Sequence, residues 1–255
     1  MKILILFFIV VIVLPFLVNS QEVKINIKEM LNLEIMSLTY NSELKSGEPL
    51  KVVLKVFNSG SLGYRARVRL DILDGSDLYY TGWSKEVSLW PGDSEYFEIY
   101  SYPMNMSGNF TGKIRIYYAN EIKELELIKF KILGDIIHKK NLQITDLKTY
   151  EDRIDVSLIS NQDLKNVIII PSEFPTGWIF EQSKIDSINK NEEKKIQLKY
   201  EPTIWKPTEV MIHVFTENGR EYTSKSFSME KEKPTFNFIS YFIKIFRIFS
   251  ILPLI

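Results

Sequence analysis

The chain of 255 residues contains no cysteine, which excludes disulfides, thiolate metal sites and a cysteine nucleophile together. Alanine is almost absent too, occurring only at Ala66 and Ala119, so the best helix former is missing. The hydrophobic residues are instead mainly Ile, Leu, Val, Phe and Tyr, which favour strands. We therefore predict an all-β fold that is stabilised by packing.

The chain also lacks a net charge, because 32 basic residues balance 32 acidic ones. Without a net field, the chain has no general attraction for nucleic acid. The sequence shows no Gly-rich phosphate loop and no pairing of histidine with a nucleophile. We expect a non-enzymatic protein with no nucleic-acid partner, no cofactor and no metal.

The N-terminus has the pattern of a secretory signal. Lys2 precedes an apolar run from Ile3 to Val18, and Asn19 and Ser20 follow before Gln21. This order of charge, apolar core and cleavage region predicts a signal peptide over residues 1–20 and a mature protein that begins at Gln21. The alternative is an uncleaved anchor, and both interpretations place the rest of the chain outside the cell.

From Leu31 onward, short runs alternate apolar and polar residues and end at turn residues. Spacing of about ten residues between turns is typical of a β-sandwich rather than of alternating strands and helices. The seven strands predicted in the first part are Leu33–Tyr40, Leu50–Phe57, Arg65–Leu73, Lys85–Leu89, Glu95–Tyr100, Lys113–Tyr118 and Leu125–Ile132.

A similar order of elements returns after a connector at Gly134–Lys140. Val52–Asn58 corresponds to Ile154–Asn161, and the turn at Pro91–Ser94 corresponds to Lys190–Glu193, at an offset of about one hundred residues. The repeat predicts two tandem immunoglobulin-like β-sandwich domains, over residues 31–134 and 141–230. The strands predicted in the second part are Leu142–Tyr150, Arg153–Ser160, Asn166–Ile170, Ile196–Tyr200, Val210–Thr216 and Tyr222–Phe227.

The first repeat resembles the bacterial and archaeal cell-adhesion-related domains known as CARDB, through Gly47–Leu50, Asn58–Gly60 and Pro91–Asp93. The second resembles related domains of secreted glycosidases and surface proteins, through Phe174–Trp178 and Pro202. Such families are accessory modules whose motifs are structural. The resemblance therefore implies a fold and a place at the cell surface, and it carries over no catalytic residue.

Four aromatic residues, Tyr79, Tyr80, Trp83 and Trp90, crowd one hairpin region. Exposed rings there could stack on sugar faces or anchor a protein, although aromatic residues also fill sandwich cores. Alternation places Tyr79 and Trp83 on one face and Tyr80 on the other, which predicts that part of the set is buried. Trp178 is predicted to fill the end of a core.

Other polar residues carry weaker signals. His138 falls in the connector and His213 in an apolar strand, so a shared site is not expected. Asp71, Asp74 and Asp77 have a spacing that could present oxygens to calcium. Turn formation explains the same aspartates, and a bidentate glutamate is lacking.

Two acceptor sequons for glycosylation stand close together, at Asn105-Met106-Ser107 and Asn109-Phe110-Thr111. Because the chain is predicted to be exported, Asn105 and Asn109 are predicted glycosylation sites that would add solubility and shielding.

The C-terminal segment, residues 235–255, is almost wholly apolar and long enough to cross a bilayer. Lys244 and Arg247 lie in a stripe of polar residues spaced by three or four, so a helix would gather them on one face. The helix is predicted to lie in the membrane interface, to span the bilayer with its stripe facing a partner, or to pack on another protein.

These features predict an exported, membrane-attached cell-surface protein that acts in adhesion, scaffolding or assembly of an envelope complex. Its partner would be a membrane, a membrane protein, an envelope protein or a glycan. The alternative is a secreted carbohydrate-binding accessory module that uses the aromatic residues of the hairpin region.

Overall fold

The computed structural model describes residues 29–103, 107–134 and 138–229, and these residues form strands and no helix. The predicted all-β fold is confirmed. The N-terminal strands are β1 (Glu34–Tyr40), β2 (Glu43–Lys45), β3 (Lys51–Phe57), β4 (Tyr64–Asp74), β5 (Asp77–Trp83), β6 (Val87–Leu89), β7 (Ser94–Tyr100), β8 (Gly108–Tyr118), β9 (Glu121–Glu124) and β10 (Ile128–Leu133). The C-terminal strands are β11 (Leu142–Thr149), β12 (Arg153–Ser160), β13 (Leu164–Ser172), β14 (Ile179–Phe180), β15 (Ser183–Ile188), β16 (Glu193–Glu201), β17 (Thr208–Thr216) and β18 (Tyr222–Met229).

The strands form four sheets, two from each part of the chain. The N-terminal sheet pair has the orders β1-β3-β7 and β2-β10-β8-β4-β5, with β6 paired to β4 and β9 to β8. The C-terminal sheet pair has the orders β11-β12-β16-β14 and β15-β13-β17-β18. Matched strand by strand, β1-β3-β7 corresponds to β11-β12-β16, and β10-β8-β4-β5 to β18-β17-β13-β15. Each pair encloses apolar side chains, which is consistent with a β-sandwich.

The repetition extends to local irregularities. β1 pairs with β3 through a register shift that leaves out Met36, and β11 pairs with β12 through a shift that leaves out Thr145. A bulge at the same place in both first strands bends each edge in the same way. The sequence similarity between the two parts therefore reflects a shared strand arrangement.

The N-terminal part has ten strands instead of the seven predicted from the sequence. The strands that were missed are β2, β5 and β9, and β5 contains Tyr79, Tyr80 and Trp83, three of the four aromatic residues grouped above. Its alternation is interrupted because Tyr79 is left out of the pairing with β4 and because Gly82 contributes no side chain. In the C-terminal part, β14 was missed because it has only two residues, and β15 because only Ile185 and Ile188 among its six residues are apolar.

Each sheet pair has its own hydrophobic core, but β13 contributes to both. Val167 and Ile169 lie in the C-terminal core, whereas Ile168 and Ile170 pack into the N-terminal core. On the neighbouring strand β17, Phe215 also joins the N-terminal core. A continuous apolar run is the pattern of a strand that is buried on both faces. The two sheet pairs are therefore joined by a shared apolar layer.

Several predictions fall outside the described residues, namely the signal peptide over residues 1–20 and the C-terminal helix over residues 235–255 with Lys244 and Arg247. The described ranges contain no candidate for a membrane-spanning helix.

Candidate functional site at the junction of the two sheet pairs

Gln182, which follows β14, inserts its side chain into the N-terminal sheet pair. Its amide oxygen accepts a hydrogen bond from the Tyr100 backbone N–H at 2.8 Å. Its amide nitrogen donates to the Tyr100 carbonyl at 2.6 Å and to the Tyr80 hydroxyl at 2.9 Å. Gly82 makes room for this side chain, since a Cβ there would lie 2.7 Å from the Gln182 amide nitrogen. Gln182 thus provides hydrogen-bond partners for the backbone N–H and carbonyl of Tyr100 and for the Tyr80 hydroxyl, all in the N-terminal sheet pair.

A row of rings crosses the junction beside this amide. The Tyr102 ring stacks on His213, with ring centroids 4.3 Å apart and planes within 6°. His213 Nε2 is 2.7 Å from the Ser172 hydroxyl, and Nδ1 is 2.9 Å from the Tyr222 hydroxyl. Burial lowers the pKa of His213 to about 4, so the imidazole is neutral at physiological pH. It acts as one donor and one acceptor between the two hydroxyls.

Charged side chains surround the same junction. Lys51 Nζ lies 2.6 Å from a Glu217 oxygen and 3.5 Å from Glu98, and Lys184 contacts Glu98 at 3.4 Å. The Tyr100 hydroxyl donates to Glu98 at 3.0 Å. The hydrogen bond from Lys51 holds the pKa of Glu217 below its usual range. Because Lys51 and Glu98 belong to the N-terminal pair, these contacts add charge complementarity to the apolar junction.

A second polar contact involves Arg67, which binds Glu201 through both terminal nitrogens at 3.2 Å and Glu86 at 2.6 Å. Close by, Trp83 forms a parallel β-bridge with Glu181. Backbone pairing, ion pairs and a shared core therefore act together at one junction.

The structure separates the four aromatic residues that the sequence grouped. Tyr80 and Trp83 are each only 3% exposed, whereas Tyr79 is 39% exposed and Trp90 is 68% exposed. Tyr80 faces the N-terminal core and binds Gln182. Trp83 is covered at the junction, where the Arg69 guanidinium lies 5.5 Å from its ring. Tyr79 and Trp90 therefore remain as accessible aromatic rings from the predicted binding set.

Tyr79 lines a cavity of about 430 Å³ between the two sheet pairs. Its walls come from β4, β5 and Tyr102 on one side and from the segment after β13 on the other. The lining residues are Arg69, Leu78, Tyr79, Tyr80, Thr81, Tyr102, Ser172, Glu173, Phe174, Thr176, Gly177 and Trp178. The cavity volume falls within the range of roughly 300–1,000 Å³ that is typical of small-molecule sites.

The glycosylation predictions divide between described and undescribed residues. Asn109 is exposed in β8, at a position paired with Lys131. Asn105 lies outside the described residues. The modification of Asn109 therefore stays a prediction.

Three of the remaining polar candidates, His138, His213 and Asp71, have structural partners. Both histidines lie beside Tyr222, with ring centroids 4.9 Å away for His138 and 6.0 Å for His213. Asp71 accepts hydrogen bonds from Arg69, Arg115 and Thr81, so its oxygens are already bound. In the part of the chain that the structure describes, no group of three or more His, Cys, Asp or Glu side chains could hold a metal ion.

The residues that build the junction were missed from the sequence. Gln182 contacts Tyr100 across 82 positions, and Lys51 contacts Glu217 across 166. No local sequence pattern predicts contacts between residues so far apart in the chain. The single usable signal is the run Val167–Ile170, whose unbroken apolar character predicts burial on both faces.

Comparison with known proteins gives no family. No family model and no curated protein matches the chain. The resemblance to CARDB domains therefore stays a prediction.

Similar solved structures include a beta-glucosidase from Listeria innocua in complex with glucose, at 14% identity and a TM-score of 0.32, covering 43% of this chain and 17% of that chain. An alkylpurine DNA glycosylase from Pseudomonas fluorescens, bound to DNA containing an abasic site analogue, has 12% identity and a TM-score of 0.32, covering 40% of this chain and 31% of that chain. The chain thus spans less than a third of either protein, and likenesses this low carry no argument about function.

Proposed function

We propose that this protein is an exported, membrane-attached cell-surface protein that uses two tandem immunoglobulin-like modules for adhesion, scaffolding or assembly of an envelope complex. The observation that carries the proposal is the junction, where the modules share an apolar layer and exchange hydrogen bonds and ion pairs.

A junction of this kind suits a scaffold. Modules joined by a free linker move relative to each other unless their interface is large and apolar. Here Ile168, Ile170 and Phe215 place apolar surface of one module in the core of the other, and Gln182 satisfies buried polar groups across the boundary. Two surfaces on different modules are thereby held at a fixed separation, which favours simultaneous contact with an envelope partner.

The cellular placement rests on the sequence of the two termini. The signal pattern over residues 1–20 supports export, and the apolar segment over residues 235–255 supports membrane attachment. In a spanning helix, Lys244 and Arg247 would cost several kcal/mol without an acidic partner. This cost favours either an interfacial position or a complex with a second membrane protein.

Membrane fractionation of the full chain and of a chain truncated after residue 233 tests the proposal. We expect the full chain to resist carbonate extraction, to be digested by external protease and to be released by the truncation. A Lys244→Leu, Arg247→Leu variant distinguishes the modes of attachment, because it should strengthen binding to vesicles of neutral lipid but weaken a contact with an acidic protein partner. If both the full and truncated chains are soluble, membrane attachment is wrong.

A second candidate function is a secreted carbohydrate-binding module. The observation in its favour is the accessible ring of Tyr79 in the junction cavity, together with the exposed ring of Trp90 at the turn before β7. Fully soluble behaviour in the fractionation experiment would make this second function the leading one.

A further inference from the structure

The junction cavity contains an aromatic surface held by other rings. Tyr79 is left out of the β4–β5 register and is 39% exposed, although its ring lies 6.5 Å from Phe110 of the N-terminal core. The Tyr102 ring lies 6.1 Å from Tyr79 and is itself stacked on buried His213. Phe174 forms part of the facing wall. A ring supported in this way loses little conformational entropy on binding, which favours stacking of a flat apolar face against it.

Arg69 and Thr81 supply a hydrogen-bond donor and an acceptor on one wall of the cavity. Arg69 uses Nε to donate to Asp71 at 2.8 Å and lies over Trp83. Its two terminal amino groups have no hydrogen-bond partner among the described residues and remain available as donors. Thr81 donates its hydroxyl to Asp71 at 2.7 Å, which leaves oxygen lone pairs to accept.

Glu173 supplies the acceptor on the opposite wall. It is exposed, and its carboxylate forms no hydrogen bond or ion pair with any described residue. Its backbone has a φ of 60°, a left-handed conformation that is uncommon for residues other than glycine. The three other non-glycine residues with positive φ, Ala119, Asn166 and Asn191, do not line this cavity.

These charges narrow the class of ligand. Glu173 would repel an anion, and Arg69 would repel a cation, so a ligand with a net charge is favoured by one wall and disfavoured by the other. A neutral ring with several hydroxyl groups can accept from Arg69, donate to Glu173 and place its C–H face on Tyr79. Neutral sugars have all three properties.

We propose that the cavity between the two sheet pairs binds a neutral pyranose sugar, with Tyr79 as the stacking platform and with Arg69 and Glu173 as hydrogen-bonding groups on opposite walls. This inference deepens the second candidate function, the carbohydrate-binding module, and assigns it a site. Both parts of the chain contribute to the site, so neither sheet pair alone would form it.

Glycan-array binding of the full chain, followed by calorimetric titration of the neutral glycan bound most tightly, tests the proposal. Tyr79→Ala and Glu173→Gln should each weaken binding at least tenfold. Tyr96→Ala and Glu95→Gln are matched controls, because Tyr96 is 60% exposed and both residues lie on β7 outside the cavity. These controls should leave the affinity within twofold of the unaltered chain.

The outcomes separate the site from the wider function. Glycan binding that survives Tyr79→Ala and Glu173→Gln but is lost on Trp90→Ala would overturn the cavity as the site and keep the carbohydrate-binding function. Absence of binding to every neutral glycan would overturn both. Preference for charged glycans, or for peptides tested in parallel, would also overturn the proposal, because the assignment rests on a neutral ligand.

Discussion

The two sheet pairs share a strand order but close the ends of their cores differently. The C-terminal pair uses its own side chains: Trp178 packs against Tyr200 and Trp205, at centroid distances of 5.8 and 5.3 Å, and these two rings are 6.1 Å from each other. The N-terminal pair is completed by residues from the other part of the chain, among them Gln182 and Phe215. One core is therefore self-contained, whereas the other depends on its neighbour.

This difference shows how two copies of one strand arrangement can become linked while keeping separate cores. Two copies of one strand arrangement would ordinarily behave as independent domains with a mobile boundary. Here the same strand, β13, serves both cores. Substitutions in the C-terminal core and at the junction should therefore differ in how much stability they remove and in which core loses it.

The largest effect is expected from Trp178→Ala. Trp178 is fully buried, and its indole N–H donates to the Ile204 carbonyl at 3.1 Å. Removing it should cost about 3–5 kcal/mol of unfolding free energy through lost burial and a residual cavity. Chemical denaturation measures this value. Trp90→Ala, at an exposed ring, is the control and should change stability by less than about 1 kcal/mol.

A pH-dependent effect should distinguish the junction from the self-contained core. Burial lowers the pKa of His213 to about 4, whereas histidine in an unfolded chain titrates near 6.5, a difference that corresponds to about 3 kcal/mol. Between these values the unfolded state binds more protons than the folded state. Protonation of His213 therefore leaves the free energy of unfolding unchanged above pH 6.5 and lowers it as the pH drops toward 4.

Denaturation of His213→Gln at pH 7 and pH 4 tests this prediction. The variant should lose less stability than the unaltered chain over this range. Carboxylates with lowered pKa values, such as Glu217, contribute equally to both proteins below about pH 4.5. Trp90→Ala removes an exposed side chain that carries no titratable group, so this control should keep the original pH profile. An unchanged slope in His213→Gln would contradict a buried neutral imidazole.

A smaller effect should follow from a close backbone contact at the junction. A Cβ on Gly219 would lie 2.2 Å from the Gly47 carbonyl oxygen, and Gly219 has a φ of 69°. Gly219→Ala should therefore cost about 2–3 kcal/mol through overpacking and strain. Gly75 has a φ of 60° with open space around it, so Gly75→Ala measures the strain alone, at about 1 kcal/mol. Thermal denaturation measures both variants. If Gly219→Ala and Gly75→Ala lost the same stability, the close contact between Gly219 and Gly47 would add nothing to the cost of backbone strain.

The smallest of these effects is expected from Gln182→Ala, at about 2 kcal/mol, because buried groups of Tyr100 and Tyr80 lose their hydrogen bonds. Hydrogen exchange should show reduced protection at the Tyr100 amide, with little change in the C-terminal core. Gln197→Ala, at an exposed position of β16, should leave protection unchanged. Uniform loss of protection in both cores would show that they unfold as one unit.

Much of the strand content could be predicted because alternation is a local property. β3 was predicted to within one residue, and its side chains are buried at every second position. β5 was missed because the bulge at Tyr79 and the glycine at position 82 interrupt that alternation. The same irregularity places Tyr79 in the cavity, so the feature that hid the strand is also the one that shapes the candidate site.

The grouping of aromatic residues was only a partial guide to the site. Tyr79 and Tyr80 both line the cavity, but Trp83 is buried against Arg69, and Trp90 lies elsewhere on the surface. Neighbours in sequence share a site only if the strand keeps its register and if nothing packs over the outer face of the sheet. Both conditions depend on residues from the second part of the chain.

The sequence by itself determined the all-β character, the position of most strands and the repeated order of elements, because alternation and turn chemistry act over a few residues. Only the tertiary structure decided that the two cores share a strand, that Gln182 completes the opposite sheet pair and that Tyr79 faces Glu173 across a cavity. These contacts join residues that are tens to more than one hundred positions apart, and their energies depend on burial and geometry that no local pattern contains.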